Sequence, residues 1–324
     1  MLVSQFDPIL AYGSLFRGAF GGVREFADTL ALATPLILTG ITFLIALRAG
    51  LFNIGAEGQL YLGTLGAVSA SLFALPTGVH LFVALLFAAA VGAAWSIPVA
   101  VLKVTRGVHE VLSTIMLNWI AFWLTLFLIA GPLGDPTRAE KTISVAPTSR
   151  FPVLAAGADL TAAIFVSVAF AIFVYFFMWH TRVGYEFRSV GLNPDASRYA
   201  GISHLRATMF AFILGGIAAG MGGAFQVTGK PPTWALFGTL SNVLGLGFNG
   251  IAVAMIGRSH PIGAIFAAIF FGGLYTGARL MQATAKVPIE MVQAVIGIMI
   301  VAVAIPGALD TIRTYVRRRR PQIG

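Results

Sequence analysis

A glutamate lies in a short, glycine-rich interruption between two apolar runs of the sequence. Glu57 falls within residues 50–59, which also hold the polar side chains of Asn53 and Gln59 and the helix-breaking Gly55. Non-helical backbone is tolerated at membrane depth only where it is buried in protein or lines a wet cavity, and an intramembrane carboxylate is costly, so function is its default interpretation. The pattern predicts that these four residues contribute to a transport pathway. The alternative is a short turn at the membrane surface with Glu57 in water.

A second glycine-rich stretch, residues 245–263, lies in the other half of the chain. Its Gly-Phe-Asn-Gly-Ile-Ala order, which contains Phe248 and Asn249, is similar to the Gly-Leu-Phe-Asn-Ile-Gly order of residues 50–55. Paired interruptions in two halves are typical of transporters whose site lies between two repeats. We therefore expect two pseudo-repeat halves and place Phe248 and Asn249 in the pathway. The alternative is close helix packing through small residues.

A third group of polar residues begins an apolar run near residue 111. Ser113 and Asn118 have a spacing that lets them face the interior of a helix bundle, where they are further pathway candidates. Hydrogen bonds that simply join helices, at about 1 kcal/mol or less each, are an equally good explanation. The GxxxG pairs Gly216–Gly220 and Gly273–Gly277 predict close helix contacts.

The loop of residues 180–206 contains the signature of a short capped helix. Asn193 is a favourable N-cap, Pro194 suits the first helical position, Asp195 complements the helix dipole, and Gly201 can adopt the left-handed stop. Such a helix, displayed outside the membrane, suggests a docking element. The alternative is a solvated connector whose arginines serve only topology. The further residues of this candidate docking loop are Gly184, Arg188, Gly191 and Arg198.

Several kinds of chemistry are excluded by the motifs that the sequence lacks. It has no GxxxxGK[ST] phosphate loop, no HExxH metal pair and no GxSxG nucleophile elbow. It has no cysteine, and its five histidines are scattered. We therefore expect no catalytic residues, no metal site and no cofactor in this chain.

The elements that must position these residues are membrane helices. Of the 324 residues, 58% are hydrophobic and 10% are charged, which is too few to cover a soluble surface. We predict an all-α, polytopic transmembrane helical bundle of about nine spans (8–10), with glycine-rich broken helices. The predicted spans are residues 29–49, 60–77, 81–102, 111–131, 160–179, 207–227, 236–257, 262–281 and 289–306.

The distribution of basic residues predicts the orientation of the bundle. The net charge is +9, and arginines crowd the C-terminal residues 309–324, which we expect to form a basic cytoplasmic tail. Counting back through nine spans puts the loop of residues 180–206 in the cytoplasm and the N-terminus outside. Residues 1–28 are amphipathic and are expected to lie in the membrane interface, followed by a single transmembrane domain over residues 29–308.

Four strings in order resemble one known family. They are LFNIGAEGQ, GVHEVLSTIMLNWIA, GYEFRSVGLNPDASRYAGI and GFNGIAVAMIGRSHPIG, and they resemble the permeases of bacterial ABC importers for nucleosides and simple sugars, a family that includes ribose and branched-chain amino acid permeases. The resemblance runs from about residue 30 to residue 305. Relatives usually have another span before this region, so a truncated start and an external N-terminus both stay open.

The resemblance implies a location, partners and a mechanism. The chain would be a permease subunit in the bacterial cytoplasmic (inner) membrane, paired with a second permease, identical or paralogous. Two cytoplasmic ABC ATPase subunits would use ATP, an external solute-binding lipoprotein would deliver the solute, and residues 193–201 would form the coupling helix seated in the ATPase. The strings are closest to the nucleoside branch, with simple sugars next. The main rival is a secondary transporter in which Glu57 couples ions.

Overall fold

The computed structural model describes residues 7–288, 290–295 and 297–298, and they are mostly helical. Helix starts coincide with side-chain caps at several points, among them Asp7, Thr181, Asn193 and Ser203. The helices are α1 Pro8–Phe20, α2 Val23–Arg48, α3 Ala56–Ala70, α4 Val79–Arg106, α5 Glu110–Ala130, α6 Ala163–His180, α7 Arg182–Leu192, α8 Pro194–Tyr199, α9 His204–Thr228, α10 Leu246–Ile256 and α11 Pro261–Ala285. The strands are β1 Gly134–Asp135 and β2 Arg138–Thr142, which pair antiparallel.

Six helices in the described part of the chain are long and apolar enough to cross a membrane, which confirms a polytopic helical protein. They are α2, α4, α5, α6, α9 and α11, and each overlaps a predicted span. The predicted number of nine is not confirmed. The ninth predicted span, residues 289–306, lies largely outside the described residues, as does the basic tail of residues 309–324.

Two of the predicted spans are wrong in length. The span predicted over residues 60–77 is α3, which has 15 residues and ends at Ala70. The span predicted over residues 236–257 contains only the 11 residues of α10, because residues 229–245 form turns and irregular backbone. At 1.5 Å per residue, α10 is about 16 Å long, roughly half the thickness of a bilayer core. Hydropathy alone did not distinguish the apolar but non-helical residues before Leu246 from helix.

The two glycine-rich stretches differ in structure, and the pseudo-repeat is not confirmed. The first stretch contains a true interruption, residues 49–55, between α2 and α3. The second, predicted to be a break over residues 245–263, begins with helix α10 and contains its interruption at residues 257–260, between α10 and α11. Asn53 therefore lies before a helix, whereas Asn249 lies within one.

Helices α2 and α9 form the centre of the bundle. In their most apolar windows 78% of α2 and 67% of α9 are buried, against 28–33% for α4, α5 and α6, which lie at the periphery. Glycines let the helix backbones touch: Gly216 and Gly220 of α9 contact α4 at Gly92, and Gly220 also contacts Gly63 of α3. The close contacts predicted from the GxxxG pairs are thereby confirmed for α9.

The second GxxxG pair also marks a helix contact. Gly277 of α11 packs on the backbone of Leu15 in α1, and Gly273 packs on Phe20. Residues 1–28, which were predicted to lie in the membrane interface, thus include a helix that contacts α11, and α2 begins at Val23 rather than at residue 29. The position of α1 in a membrane remains a prediction.

Residues 131–162 form a folded loop at one end of the bundle. The hairpin β1–β2 packs against the segment before α10, since Thr142 N–H donates to the carbonyl of Leu236 at 2.8 Å. Asp135 accepts hydrogen bonds from the hydroxyl and N–H of Thr137 and pairs with Lys141 at 3.3 Å, and these partners lower the pKa of Asp135 to about 2. Burial lowers the pKa of Lys230, although Asp159 lies 3.7 Å away.

Candidate functional site

The interruption, residues 49–55, carries the chain from the end of α2 into the middle of the bundle. Its turn requires Gly50, whose φ is +73°. Phe52 N–H donates to the carboxylate of Glu110 at 3.3 Å, and Gly58 N–H donates to Asn118 Oδ1 at 2.9 Å. Because these two acceptors are eight residues apart on α5, the chain climbs about 12 Å along that helix. Helix α3 therefore begins well inside the bundle.

The Glu57 carboxylate is bound by the first turn of α10. Gly247 N–H donates to Oε2 at 2.6 Å, Phe248 N–H donates to the same oxygen at 3.2 Å, and Gly245 N–H donates to Oε1. The hydroxyl of Tyr61, one turn along α3, donates to Oε1 at 2.6 Å. Helix N-termini present unpaired N–H groups and a partial positive charge. Glu57 thus caps a helix that follows it by almost 190 residues, and its side chain is only 2% exposed.

Two glycines make this approach possible. Gly245 is the N-cap of α10 with φ +82°, a conformation that favours glycine. A Cβ on Gly247 would overlap the backbone of Glu57. Sequence reasoning missed Tyr61, Gly245 and Gly247 as members of this site. The one local signal was the i,i+4 spacing of Glu57 and Tyr61, which places them on one helix face.

Asn53, Gly55 and Gln59 form a second polar group beside Glu57. Asn53 Oδ1 accepts from Gly55 N–H at 2.9 Å, and a Cβ on Gly55 would lie 3.2 Å from Gln59 Nε2. Asn53 and Gln59 are fully buried, and within the described residues Asn53 Nδ2 and Gln59 Oε1 have no hydrogen-bond partner. The structure therefore brings these three candidates together.

The two candidates on α5, Asn118 and Ser113, differ in their contacts. Asn118 joins the site: its Nδ2 donates to the carbonyl of Ile54 at 3.0 Å while its Oδ1 accepts from Gly58 N–H, so it fastens the start of α3 to α5. Ser113 makes only a local bond, from Oγ to the carbonyl of His109 at 3.3 Å. The helix-joining alternative thus describes the contacts of Asn118.

Helix α10 has an exposed face next to the Glu57 carboxylate. Phe248 is 47% exposed and Asn249 is half-buried. Leu244, in the irregular segment before α10, is 58% exposed. Irregular backbone at membrane depth is tolerated only where it is buried in protein or lines a wet cavity. This face is the part of the site that other molecules can reach.

The candidate docking loop folds as two helices, α7 and α8. The predicted capped helix is confirmed: Asn193 Oδ1 accepts from Ala196 N–H at 3.0 Å, Pro194 is the first residue of α8, and Gly201 has φ +76°. Asp195 and Arg198 are exposed on α8. The role of this helix remains a prediction.

Helix α7, which was not predicted, anchors the loop to the bundle. Gly184 packs on the backbone of α6 at Phe177, and Gly191 packs on the end of α2 at Arg48. The guanidinium of Arg188 lies 5.4 Å from the ring centre of Trp179. The eight loop candidates therefore all lie on or next to α7 and α8, and part of α7 touches the interruption that leads to Glu57. No cluster of three or more metal-binding side chains occurs in the described part of the chain.

Comparisons with known proteins agree on one kind of protein. The model of the branched-chain amino acid transport system permease component matches residues 26–304. The chain is 38% identical to the guanosine ABC transporter permease protein NupP of Bacillus subtilis, over 94% of this chain and 88% of that one. It is 32% identical to the nucleoside ABC transporter permease protein NupB of Lactococcus lactis, over 94% and 86%.

A third relative is named for a different solute. The chain is 33% identical to the glucose ABC transporter permease protein TsgB13 of Haloferax volcanii, over 90% of this chain and 79% of that one. No solved structure matches the chain significantly.

Proposed function

The chain belongs to the permease family of branched-chain amino acid transport systems, and we propose that it is the membrane-spanning permease subunit of an ABC importer for nucleosides. The observation that carries the proposal is its similarity, over 94% of its length, to permeases named for guanosine and nucleosides. As a member of this family with six long apolar helices among its described residues, it is a multi-pass membrane protein. We propose the bacterial cytoplasmic membrane, with the C-terminus and the loop of residues 180–206 in the cytoplasm.

ATP hydrolysis would take place on a separate pair of ATPase subunits. The exposed, capped helix α8 supports a docking role, because a rigid helix presented at the end of the bundle fits a groove on a soluble partner. Asp195 and Arg198 would contact the ATPase there. Closure of the ATPase pair would move α7 and α8, and the bundle would alternate between outward and inward openings.

The solute path would run along the exposed face of α10 and be completed by a second permease. Phe248 and Asn249 lie on that face, and an apolar ring and an amide suit the stacking and hydrogen bonding that a nucleoside base needs. Asn53 and Gln59 lie deeper and would supply polar atoms that have no hydrogen-bond partner among the described residues. An external solute-binding lipoprotein would deliver the nucleoside to the opposite end of the bundle.

A simple-sugar permease remains the second candidate because the relative named for glucose matches 90% of the chain. Ion-coupled secondary transport fits the structure less well. A coupling carboxylate must exchange ions or protons with water, whereas Glu57 is 2% exposed and holds four hydrogen bonds.

Purification from native membranes in mild detergent tests the assembly. We expect the tagged chain to bring down an ATPase subunit, a second permease and a solute-binding lipoprotein, identified by mass spectrometry. Arg198→Glu on α8 should lose the ATPase, whereas Arg24→Glu, exposed at the start of α2, should keep it. A chain that purifies alone from membranes that contain an active importer contradicts the proposal.

Solute binding tests the proposal that the transported solute is a nucleoside. The lipoprotein that co-purifies would be titrated calorimetrically with guanosine, other nucleosides, glucose and ribose. We expect binding of nucleosides, and uptake of the same solute into proteoliposomes that contain the full complex and internal ATP. Binding of glucose alone would contradict the nucleoside proposal and support a simple-sugar permease.

A further inference from the structure

We propose that residues 48–57 and helix α10 move as one unit, and that the contact between Gly191 and the start of this segment transmits the motion of α7 and α8 to it. The inference rests on the proposed function, since it concerns how an ATPase outside the membrane would reach the solute path. It assigns a role to Arg48, and it gives Glu57 and Gly191 roles beyond the pathway and the docking loop in which the sequence places them.

The first observation is that one short segment holds α10 at both ends. At the N-terminus of α10 the carboxylate of Glu57 accepts three backbone N–H bonds. At its C-terminal turn, Arg48 Nε donates to the carbonyl of Ser259 at 2.8 Å and Nη2 donates to that of Arg258 at 3.4 Å. Residues nine apart in the sequence thus fix the two ends of an 11-residue helix. A displacement of one must displace the other.

The turn that Arg48 holds is a conformation that needs support. Arg258 and Ser259 have φ of 54° and 51°, so two consecutive residues with side chains are left-handed. Such backbone persists only where its surroundings determine it. The two bonds from Arg48 to the carbonyls of these residues add to the backbone bonds of the turn, in which Arg258 N–H donates to the carbonyl of Met255 and Ser259 N–H to that of Ala254.

The second observation is that α7 packs directly on the start of residues 48–57. A Cβ on Gly191 would overlap the carbonyl of Arg48 and would lie 2.8 Å from the backbone nitrogen of Gly50. There is therefore no side chain between the two backbones that could absorb a movement. Gly50 itself is left-handed, with φ +73°, so the segment turns at the point of contact.

A tryptophan joins the same two elements from the other side. The guanidinium groups of Arg48 and Arg188 lie 5.2 and 5.4 Å from the ring centre of Trp179, one from α2 and one from α7. Cation–π contacts of this kind hold a guanidinium over a ring at these distances. Helix α7 is thus tied to Arg48 both by backbone contact and through Trp179, and α10, which carries Phe248, is tied to Arg48.

A single cysteine at Leu244 reports the motion, because the chain has no cysteine of its own and this side chain is 58% exposed before α10. The full complex, with ATPase subunits and lipoprotein in proteoliposomes, would first be checked for ATP-driven uptake with Leu244→Cys. The rate of maleimide labelling would then be measured without nucleotide and with ATP trapped by vanadate. We expect a several-fold change on trapping, and none for a cysteine placed at Ile9, which is 85% exposed at the start of α1.

Gly191→Ala and Arg48→Gln in the Leu244→Cys background test the transmission. We expect both complexes to hydrolyse ATP while the response of labelling to trapped nucleotide and the solute moved per ATP both fall several-fold. Gly13→Ala is the matched control, since a Cβ there would meet nothing within 4 Å. If the alanine at residue 191 prevents assembly, Arg188→Gln removes the contact with Trp179 without adding atoms at the glycine.

The outcomes separate this inference from the proposed function. Labelling that responds to nucleotide equally in the parent and in Arg48→Gln and Arg188→Gln overturns the transmission role while the importer assignment stands. A parent complex that transports but shows no response at residue 244 also overturns it. An assembled parent complex without ATP-driven uptake contradicts the proposed function itself.

Discussion

Glu57 and Glu110 are two buried carboxylates beside the same interruption, and their charges are compensated in different ways. Glu57 accepts bonds from three backbone N–H groups of α10 and from Tyr61. Glu110, at the start of α5, pairs with Lys103 at 2.7 Å and accepts from Phe52 N–H at 3.3 Å. The lysine side chain is 32% exposed, so this pair lies at the end of the bundle, whereas Glu57 lies about 12 Å deeper along α5.

The difference shows how position in the bundle decides which partner is available. At the end of a span a lysine can bring its charge from water, at small desolvation cost. Deeper in the bundle a second charge would itself need compensation, and a helix N-terminus supplies fixed dipoles without one. A carboxylate bound in this way also connects two helices, here α3 and α10. Its loss should weaken the contact between them.

The largest effect is expected from Glu57→Leu. This change leaves one buried and two partly buried N–H groups without an acceptor, and a buried one costs about 1–3 kcal/mol. We expect little monodisperse protein and a much lower melting temperature in detergent. Glu57→Gln, which keeps the shape and one acceptor oxygen, should lie between this variant and the parent. Equal stability of all three proteins would show that the cap contributes nothing.

Asn118→Ala is expected to come next. The amide of Asn118 holds both the carbonyl of Ile54 and the N–H of Gly58, and its removal leaves buried backbone groups unpaired, at about 1–3 kcal/mol. The melting temperature should fall. Ser113→Ala, which removes only a local bond, is the matched control and should melt close to the parent.

A smaller effect is expected from Lys103→Met, at about 1 kcal/mol, because the lysine is partly exposed. Exposed charges are screened by salt. The stability difference between the parent and Lys103→Met should therefore shrink as salt is raised, whereas the difference for Glu57→Gln should stay constant. Melting curves at low and high salt distinguish the two variants. If the stability difference for Glu57→Gln also shrank with salt, the two carboxylates would not differ in how their charges are compensated.

The smallest effect concerns the exposed hairpin β1–β2. The pKa of Asp135 lies at about 2, below its ordinary value of 3.8, because its ionised form accepts bonds from Thr137 and pairs with Lys141. Its contribution to hairpin stability is therefore complete above pH 3.8 and is lost as the pH falls through about 2. Asp135→Asn should abolish this acid dependence. Hydrogen exchange across residues 134–142, corrected for intrinsic rates, is the measurement, and an unchanged profile in the variant would contradict it.

Local features of the fold could be predicted from the sequence, and long-range ones could not. The cap of α8 depends on Asn193 and Pro194, which are neighbours, so the sequence contains all that decides it. The sequence also indicated that Glu57 is buried and unusual. It could not identify the partners of this carboxylate, because periodicity describes one helix at a time and Gly247 is 190 residues away.

Hydropathy fails for a related reason at α10. Residues 235–245 are apolar enough to be counted with a span, yet they are irregular: Leu236 and Gly238 bond to the hairpin, and the residues that follow bond within turns. Helix length therefore depended on a partner segment near residue 142. The candidates Asn53, Gly55, Gln59 and Asn118 lie next to one another, whereas Ser113 bonds to His109 at the start of its own helix, and their role in a pathway stays a prediction.

The shortness of α10 has a consequence for biosynthesis. A helix of about 16 Å cannot enter a bilayer as an independent span, since its ends would leave unpaired backbone in hydrocarbon. Residues 229–256 must therefore be inserted together with α9 and α11, after Glu57 and Arg48 have already been synthesised and can receive the two ends of α10. The N-terminal half of the protein would thus act as the template on which this part of the C-terminal half completes its insertion.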